Sequence, residues 1–342
     1  KDISVLVACG LGGTSLINAN VSINPEERVF DDVKWPVELR EEFDNKTSLL
    51  NKGYALAKDM LRAKPLPASI ELNKLKGLQK SAEANGEKFY RTDINVNFDV
   101  DGKNHVGVEQ KPCNLCGDCC SGCNNFAKNT ILMNYLPDAK AHGAEIFTEA
   151  KVSYIAKNGN KWRVYYALVN SGSDKFHAPD QFVTADVVVL SAGTLGSTEI
   201  LLRSKAKGLS VSDKVGYSFS GNGDVLGFGY NTDQIIDGLG EGAHSLEQEK
   251  KAGPCITGVI DLRGKPNLED GMIVEDAAIP GAIGTVLPLA LEILSHTVGV
   301  DERQANDKSL FHWMGHEEQK VASRVKGPYH GAIRNTQTYL MM

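Results

Sequence analysis

The sequence predicts a mixed α/β (α+β) protein of two domains, one doubly wound and one built from a β-sheet and helices. Three observations predict it. An apolar run at residues 3–8 turns through Cys9-Gly10-Leu-Gly12-Gly13-Thr14-Ser15. A second, Ala185-Asp-Val-Val-Val-Leu190, turns through Ser191-Ala-Gly193-Thr-Leu-Gly196 into a helix. Both have the strand, small turn and helix start with which a doubly wound sheet lays its carboxyl edge against a ligand. The third observation is length, since 342 residues exceed one ordinary domain and suggest about two.

Taken in order, residues 37–62 place Leu39, Phe43, Leu49, Leu50, Leu56, Met60 and Leu61 at helical spacing, and Pro65 and Pro67 close that segment. Residues 70–84 form a second amphipathic helix ended by Gly86. Ile94, Val96, Phe98 and Val100, then Val106 and Val108, alternate on either side of Asp101-Gly102, which is a hairpin signature. Residues 125–142 read as helix up to Gly143. Strands follow at 144–148, 152–155, 162–169 and 182–184, with a turn at Asn158-Gly159. Beyond the helix at 197–204 the chain is Gly-rich and irregular over 222–255. Residues 270–278 and 335–342 then read as strands, and 287–294 as helix. There is no internal repeat and no low-complexity tract.

A hydrophobic fraction of 42% and a charged fraction of 23% are ordinary for a soluble globular protein. A net charge of −6 without a Lys/Arg run argues against a nucleic-acid partner. No stretch approaches the roughly 18 consecutive apolar residues of a membrane helix. Six of the seven cysteines fall by residue 123 and Cys255 stands alone. That is too clustered for a secreted disulfide framework, so a reducing, cytoplasmic compartment is expected. The chain opens at Lys1 directly into an apolar run and stops at Met342 inside a strand-like one, and it reads as an interior piece of a longer polypeptide.

Five cysteines lie in Cys113-Asn-Leu-Cys116-Gly-Asp-Cys119-Cys120-Ser-Gly-Cys123. Cys113, Cys116, Cys119 and Cys123 have the C-x2-C-x2-C-x3-C spacing of an iron–sulfur run, and Gly117 and Gly122 let the backbone wrap tightly. No Pro follows and no second run exists, so Cys123 would be spare, a distorted ligand or a disulfide partner. The spacing alone leaves iron–sulfur, zinc and disulfide all open.

The turn Gly10-Leu-Gly12-Gly13-Thr14-Ser15 has a dinucleotide-like form and can present backbone N–H groups to a phosphate. No acidic residue ends a following strand about 20 residues on, which speaks against an NAD-dependent dehydrogenase. With Ser191–Ser197 and Ser220-Gly-Asn222-Gly223-Asp224 there are three such small turns. The alternative is a ferredoxin-like electron-transfer or zinc-stabilised binding module whose glycine turns are structural.

Gly12-Gly-Thr-Ser15-Leu-Ile-Asn18, ADVVVLSAGTLGSTEILLRS at 185–204 and GYSFSGNGD at 216–224 resemble the glucose–methanol–choline (GMC) oxidoreductases, cholesterol-oxidase-like branch. The resemblance runs over nearly the whole chain and includes CNLCGDCCSGCNNFAKN at 113–129. It implies FAD bound non-covalently and an alcohol, sterol-like or otherwise hydrophobic, oxidised by hydride transfer to the flavin. Gly12, Gly13, Ser15 and Asn18 would lie beside the pyrophosphate and isoalloxazine, and Val152 would put its backbone on the adenine. Gly193 and Gly196 would close the pocket, and Asn222 would sit near the ring. Glu275 falls where the branch keeps a steroid-facing glutamate base, whose pKa burial would raise; the alternative is a solvated strand residue beside Asp276.

An iron–sulfur cluster would favour a dehydrogenase passing electrons to a carrier protein over an oxidase using dioxygen. The FAD domain is expected from residues 1–30 and 125–228, and the substrate domain from 31–124 and 229–342, with the cysteine run at their boundary. The family's leading G-x-G-x-x-G strand and its catalytic His segment with a His-or-Asn partner are expected outside this sequence. His312 and His316 sit four apart without a motif glutamate and read as surface or core histidines.

Overall fold

The computed structural model of the chain describes residues 5, 7–43, 48–172, 180–299 and 310–342. They form two compact units, Lys1–Gly143 with Asp224–Met342, and Ala144–Gly223. The class is mixed α/β, as the patterning predicts. These units group residues 1–30 and 125–143 with 31–124 and 224–342.

The larger unit is organised by a five-stranded antiparallel sheet. Its order is Lys88–Arg91, Gly258–Asp261, Ile273–Ala277, Gln337–Met341, Val225–Gly229. The helix Asn73–Asn85, ended by Gly86 in the left-handed region at φ 68°, packs on one face. Leu78 and Ala82 of that helix meet Ile260, Val274 and Tyr339. Side chains alternate across a strand, so Asp276 shares the helix side with Val274 while Glu275 turns to the opposite side. Val259 and Leu340 are the cross-strand partners of Glu275. Leu340 packs there against the cluster of Cys119, Cys255 and Ile256. One sheet therefore carries a helix on one face and the cysteine-rich loops on the other.

The smaller unit is an antiparallel meander of Ala150–Asn158, Lys161–Leu168 and Gln181–Ala185, with Gly159 in the left-handed region at the first turn. The helix Gly193–Ala206 is fixed to the first strand: Ile155 N–H donates to Ser204 Oγ at 2.9 Å and Arg203 Nε to the Ser153 carbonyl at 2.6 Å.

Several elements differ from expectation, each for a local reason. The strand read at 185–190 stops at Ala185, and Val187 and Val189 are 76% and 80% exposed. An apolar run becomes a buried strand only where a neighbour takes up its backbone bonds, and among the described residues nothing pairs with this one. Half of the strand read at 3–8 falls outside those residues, and Val5, Val7 and Ala8 are in no strand. Every ladder in the four sheets is antiparallel; the one parallel pairing among the described residues is the isolated bridge Leu239–Ile279.

The hairpin expected at Asp101-Gly102 turns later, because Gly102–Lys103 pairs with Glu109–Gln110. Asn104 Oδ1 accepts the N–H groups of Val106 and Val108, and that side-chain turn sets the reversal. The helix read at 125–142 shrinks to Tyr135–Ala141, because Asn125, Lys128 and Asn129 spend their side chains on the carbonyls of Pro112, Asn18 and Leu61. Residues 144–148 form no strand. Residues 37–62 divide into Val37–Phe43 and Leu49–Leu61, the second capped by Ser48 Oγ on Asn51 N–H.

Candidate functional site

The glycine turn of the larger unit has the geometry its sequence asks for. Gly12 and Gly13 have φ of 112° and 57°, both in the region that favours glycine, and a 3-10 turn Gly13–Leu16 follows. A Cβ on Gly13 would meet nothing within 4 Å, so conformation alone demands glycine there and the space beside it stays open. Ser15 is a pin: its Oγ donates to the Gly12 carbonyl at 2.6 Å and accepts Ile131 N–H at 3.1 Å. Asn18 is exposed, and its carbonyl accepts Lys128 Nζ at 2.7 Å.

The smaller unit holds the other four expected cofactor residues. Val152 lies at a bulge in its strand, where the register shifts before Tyr154. Gly193 opens a 14-residue helix with no acidic residue in its first turn and no side-chain cap, so its leading N–H groups suit an anion. Gly196 follows within that turn. Asn222 is in the left-handed region at φ 66°, its N–H donating to Ser220 Oγ. Four of these eight residues lie in each unit.

The cysteine run folds as a tightly held loop. Cys113, Cys116, Cys119 and Cys123 line one pocket with Val96, Ala127 and Lys128. Leu115 N–H donates to Cys113 Sγ at 3.4 Å. Asp118 anchors the loop with both oxygens, Oδ1 accepting Gly281 N–H at 2.7 Å and Oδ2 accepting Gly242 N–H at 2.8 Å. The Cys116 carbonyl accepts Glu241 N–H at 2.7 Å and that of Leu115 accepts Gly253 N–H at 3.0 Å.

Burial pushes the Cys113 thiol up to about 12, with the neighbouring thiols adding to it and Leu115 N–H opposing. Burial likewise pushes Cys119 up to about 11 and raises Cys116. A metal entering here must displace protons. Among the described residues no three His, Cys, Asp or Glu side chains gather closely enough to hold a single metal ion. The thiols share a pocket without converging on one point.

Gly117 is where the loop tolerates least. Its φ is 81°, and a Cβ would lie 2.8 Å from Gly240 Cα and 2.9 Å from Ala252 Cβ. Gly117→Ala is therefore expected to destabilise the protein by roughly 1–3 kcal/mol, through a left-handed alanine and an overpacked contact with backbone. Urea denaturation at matched slope checks it. A change below about 0.5 kcal/mol, the range of ordinary surface substitutions, would mean the loop shifts freely.

Two consecutive carboxylates on the strand Ile273–Ala277 have opposite fates. Asp276 is fully buried and fully partnered. It accepts the N–H groups of Thr257 and Gly258, each at 2.7 Å, and Thr257 Oγ1 at 2.6 Å, and it pairs with the ammonium of buried Lys74. Glu275 is 0% exposed, yet among the described residues neither of its carboxylate oxygens has a hydrogen-bond partner. Burial, then the charges of Asp276 and Asp224, push its carboxyl up to about 8. An acid held in that state can take up and release a proton near neutral pH.

Sequence reasoning missed Lys128 and Lys74. Lys128 lines the cysteine pocket and donates to the carbonyls of Asn18 and Cys119, joining the glycine turn to the cysteine loop. Nothing but the AKN context hinted at it. His316 is a core histidine with Nε2 3.0 Å from Asp233; the His312 side chain lies outside the described residues. No helix among the described residues is long and apolar enough to cross a membrane.

The family model of the GMC oxidoreductases matches residues 1–219. A cholesterol oxidase of Acinetobacter baumannii is 29% identical over 258 residues, covering 67% of this chain and 44% of that protein. Cholesterol oxidases of two Mycobacterium tuberculosis strains, CDC 1551 / Oshkosh and ATCC 25618 / H37Rv, are 26% identical over 221 residues, 61% of this chain and 37% of theirs. The chain spans less than half the length of these relatives.

Proposed function

Because the chain belongs to the GMC oxidoreductase family, cholesterol-oxidase-like branch, we propose that the whole protein oxidises a hydrophobic, sterol-like alcohol with FAD. The observation that carries this reading is Glu275, a wholly buried carboxyl without a hydrogen-bond partner among the described residues, on a sheet whose next carboxylate is completely satisfied. Such a group is costly to keep unless it does chemistry.

FAD when bound supplies the hydride acceptor. Gly12, Gly13, Ser15, Asn18, Val152, Gly193, Gly196 and Asn222 would hold it. Both groups fit in kind: Gly13 and Gly193 have positive φ with open space beside them, and the helix that Gly193 opens has no side-chain cap and no carboxylate in its first turn. Glu275 acts as base through its carboxylate oxygens, taking a proton from the substrate side and holding it in an apolar, water-poor setting. Val259 and Leu340, flanking it on the neighbouring strands, supply part of that setting.

Within this reading Cys113, Cys116, Cys119 and Cys123 would hold an iron–sulfur cluster. Their C-x2-C-x2-C-x3-C spacing and their shared pocket support that reading. Lys128 would offset part of the cluster's negative charge. A cluster would supply a one-electron relay to a carrier protein, whereas without one dioxygen is the natural acceptor.

The absorption spectrum of the purified full-length protein, before and after dithionite, tests both levels, with iron and acid-labile sulfide assayed alongside. Flavin bands over a broad iron–sulfur envelope are expected. Flavin without iron would remove the relay and leave the oxidoreductase. A folded full-length protein without flavin would overturn the reading in favour of a binding module.

A further inference from the structure

The pocket takes four of the five clustered cysteines and leaves out Cys120. Cys120 lies in the 3-10 turn Cys119–Ser121, which sends successive side chains in different directions. Its Sγ is 3.3 Å from Sγ of Cys255, 135 residues further along the chain. Closing that gap to the ~2.0 Å of a disulfide requires the sulfurs to approach by only about 1.3 Å.

Both thiols are held in place. Cys255 is buried; its Sγ lies 3.3 Å from the Ala278 carbonyl, and its own carbonyl accepts Ala278 N–H at 2.8 Å and Lys74 Nζ at 3.2 Å. The turn bearing Cys120 is tied by Ser121 Oγ to the Asp118 carbonyl, and Asp118 in turn by Gly242 and Gly281. Cys120 itself is partly exposed. One accessible thiol beside one buried thiol, neither facing the pocket, is the division of labour of an attacking and a resolving cysteine.

We propose that Cys120 and Cys255 form a dithiol that reduces a small hydroperoxide, with Cys120 attacking and Cys255 resolving. Cys120 sulfur bonds to one peroxide oxygen, the O–O bond breaks, and the other oxygen leaves as water, or as an alcohol from an organic hydroperoxide. Cys120 is then a sulfenic acid. Cys255 sulfur attacks it, the S–O bond breaks, a water leaves and the disulfide closes. Two electrons pass from the two thiols to the peroxide; the Cys120 proton ends in the first water or the alcohol, and the Cys255 proton in the water released as the disulfide closes. The disulfide would tether the cysteine loop to the segment entering the strand Gly258–Asp261. The reaction stands whether or not FAD or iron is bound.

The test treats the full-length protein with a stoichiometric amount of hydrogen peroxide, then alkylates free thiols under denaturing conditions and maps peptides without reduction. A peptide joining Cys120 to Cys255, lighter than the sum by two hydrogens and released by dithiothreitol, is the expected principal new product. In Cys255→Ser the cross-link disappears and Cys120 is captured by dimedone. Recovery of both residues as alkylated thiols, or a cross-link from Cys120 to a different cysteine, would overturn the proposal. The map is read on the unaltered protein first, so the outcome does not depend on how the variant folds.

Discussion

Replacing Glu275 by Gln in the full-length protein is expected to lower kcat for the alcohol by about 10²–10⁴, the usual contribution of a positioned acid or base. The amide is nearly isosteric and keeps the site filled, but it cannot take a proton. In the unaltered protein the acting form is the carboxylate, and burial holds that carboxyl at about 8. The rate should therefore rise with pH towards and through that value, and the variant should lose this limb. Bound flavin should be unchanged.

Stability supplies an independent readout. The folded carboxyl titrates at about 8 against an ordinary value of 4.5, so the folded chain binds this proton more tightly than the unfolded one. The contribution of Glu275 to stability thus declines as pH rises from the ordinary carboxylate range to about 8, and levels off above. The glutamine variant has no such decline, so its melting temperature should gain on that of the unaltered protein across the same window. An unchanged kcat and parallel melting curves would make Glu275 a structural residue.

What the sequence made legible follows from the range over which each feature is encoded. The helix Asn73–Asn85 and the strands Ile273–Ala277 and Gln337–Met341 are written in local periodicity, with Gly86 as a stop signal. The cysteine loop is equally local. Its spacing predicted that Cys113, Cys116, Cys119 and Cys123 belong together, and positive φ at Gly117 and Gly122 provides the wrap. Which cysteine was the odd one was not legible. The missing Pro and the missing second run pointed to Cys123, whereas the short turn at Cys119–Ser121 swings Cys120 out toward Cys255. A contact across 135 residues leaves no trace in spacing. The strand at 185–190 failed for the same reason: hydrophobicity states that a segment needs a partner and is silent on which one. Lys74 reads as an ordinary helix lysine, and only the fold sets it against Asp276.

Lys74→Met is expected to destabilise the protein more than Gly117→Ala does, costing about 3–5 kcal/mol, because it leaves a buried carboxylate without its counter-charge. Lys74 and Asp276 are both wholly buried, and Lys74 Nζ also donates to Thr257 Oγ1 at 3.0 Å and the Cys255 carbonyl at 3.2 Å. Asp276→Asn keeps an acceptor for the N–H groups of Thr257 and Gly258 while removing the charge. Lys74→Met with Asp276→Asn should therefore recover a substantial part of the loss, and a double-mutant cycle by urea denaturation measures the coupling. Additive losses would show that the pair contributes packing alone.

The pair also bears on the proposed base. Glu275 and Asp276 are consecutive, so a slip of one residue in the ladder would exchange their faces. Lys74 pairs with the carboxylate that faces the helix Asn73–Asn85, here Asp276, while Glu275 lies on the opposite face of the sheet. By holding Asp276, Lys74 fixes Glu275 as the unpaired acid. Its loss should broaden the pH dependence assigned to Glu275 as well as lower stability, an effect that packing alone would not produce.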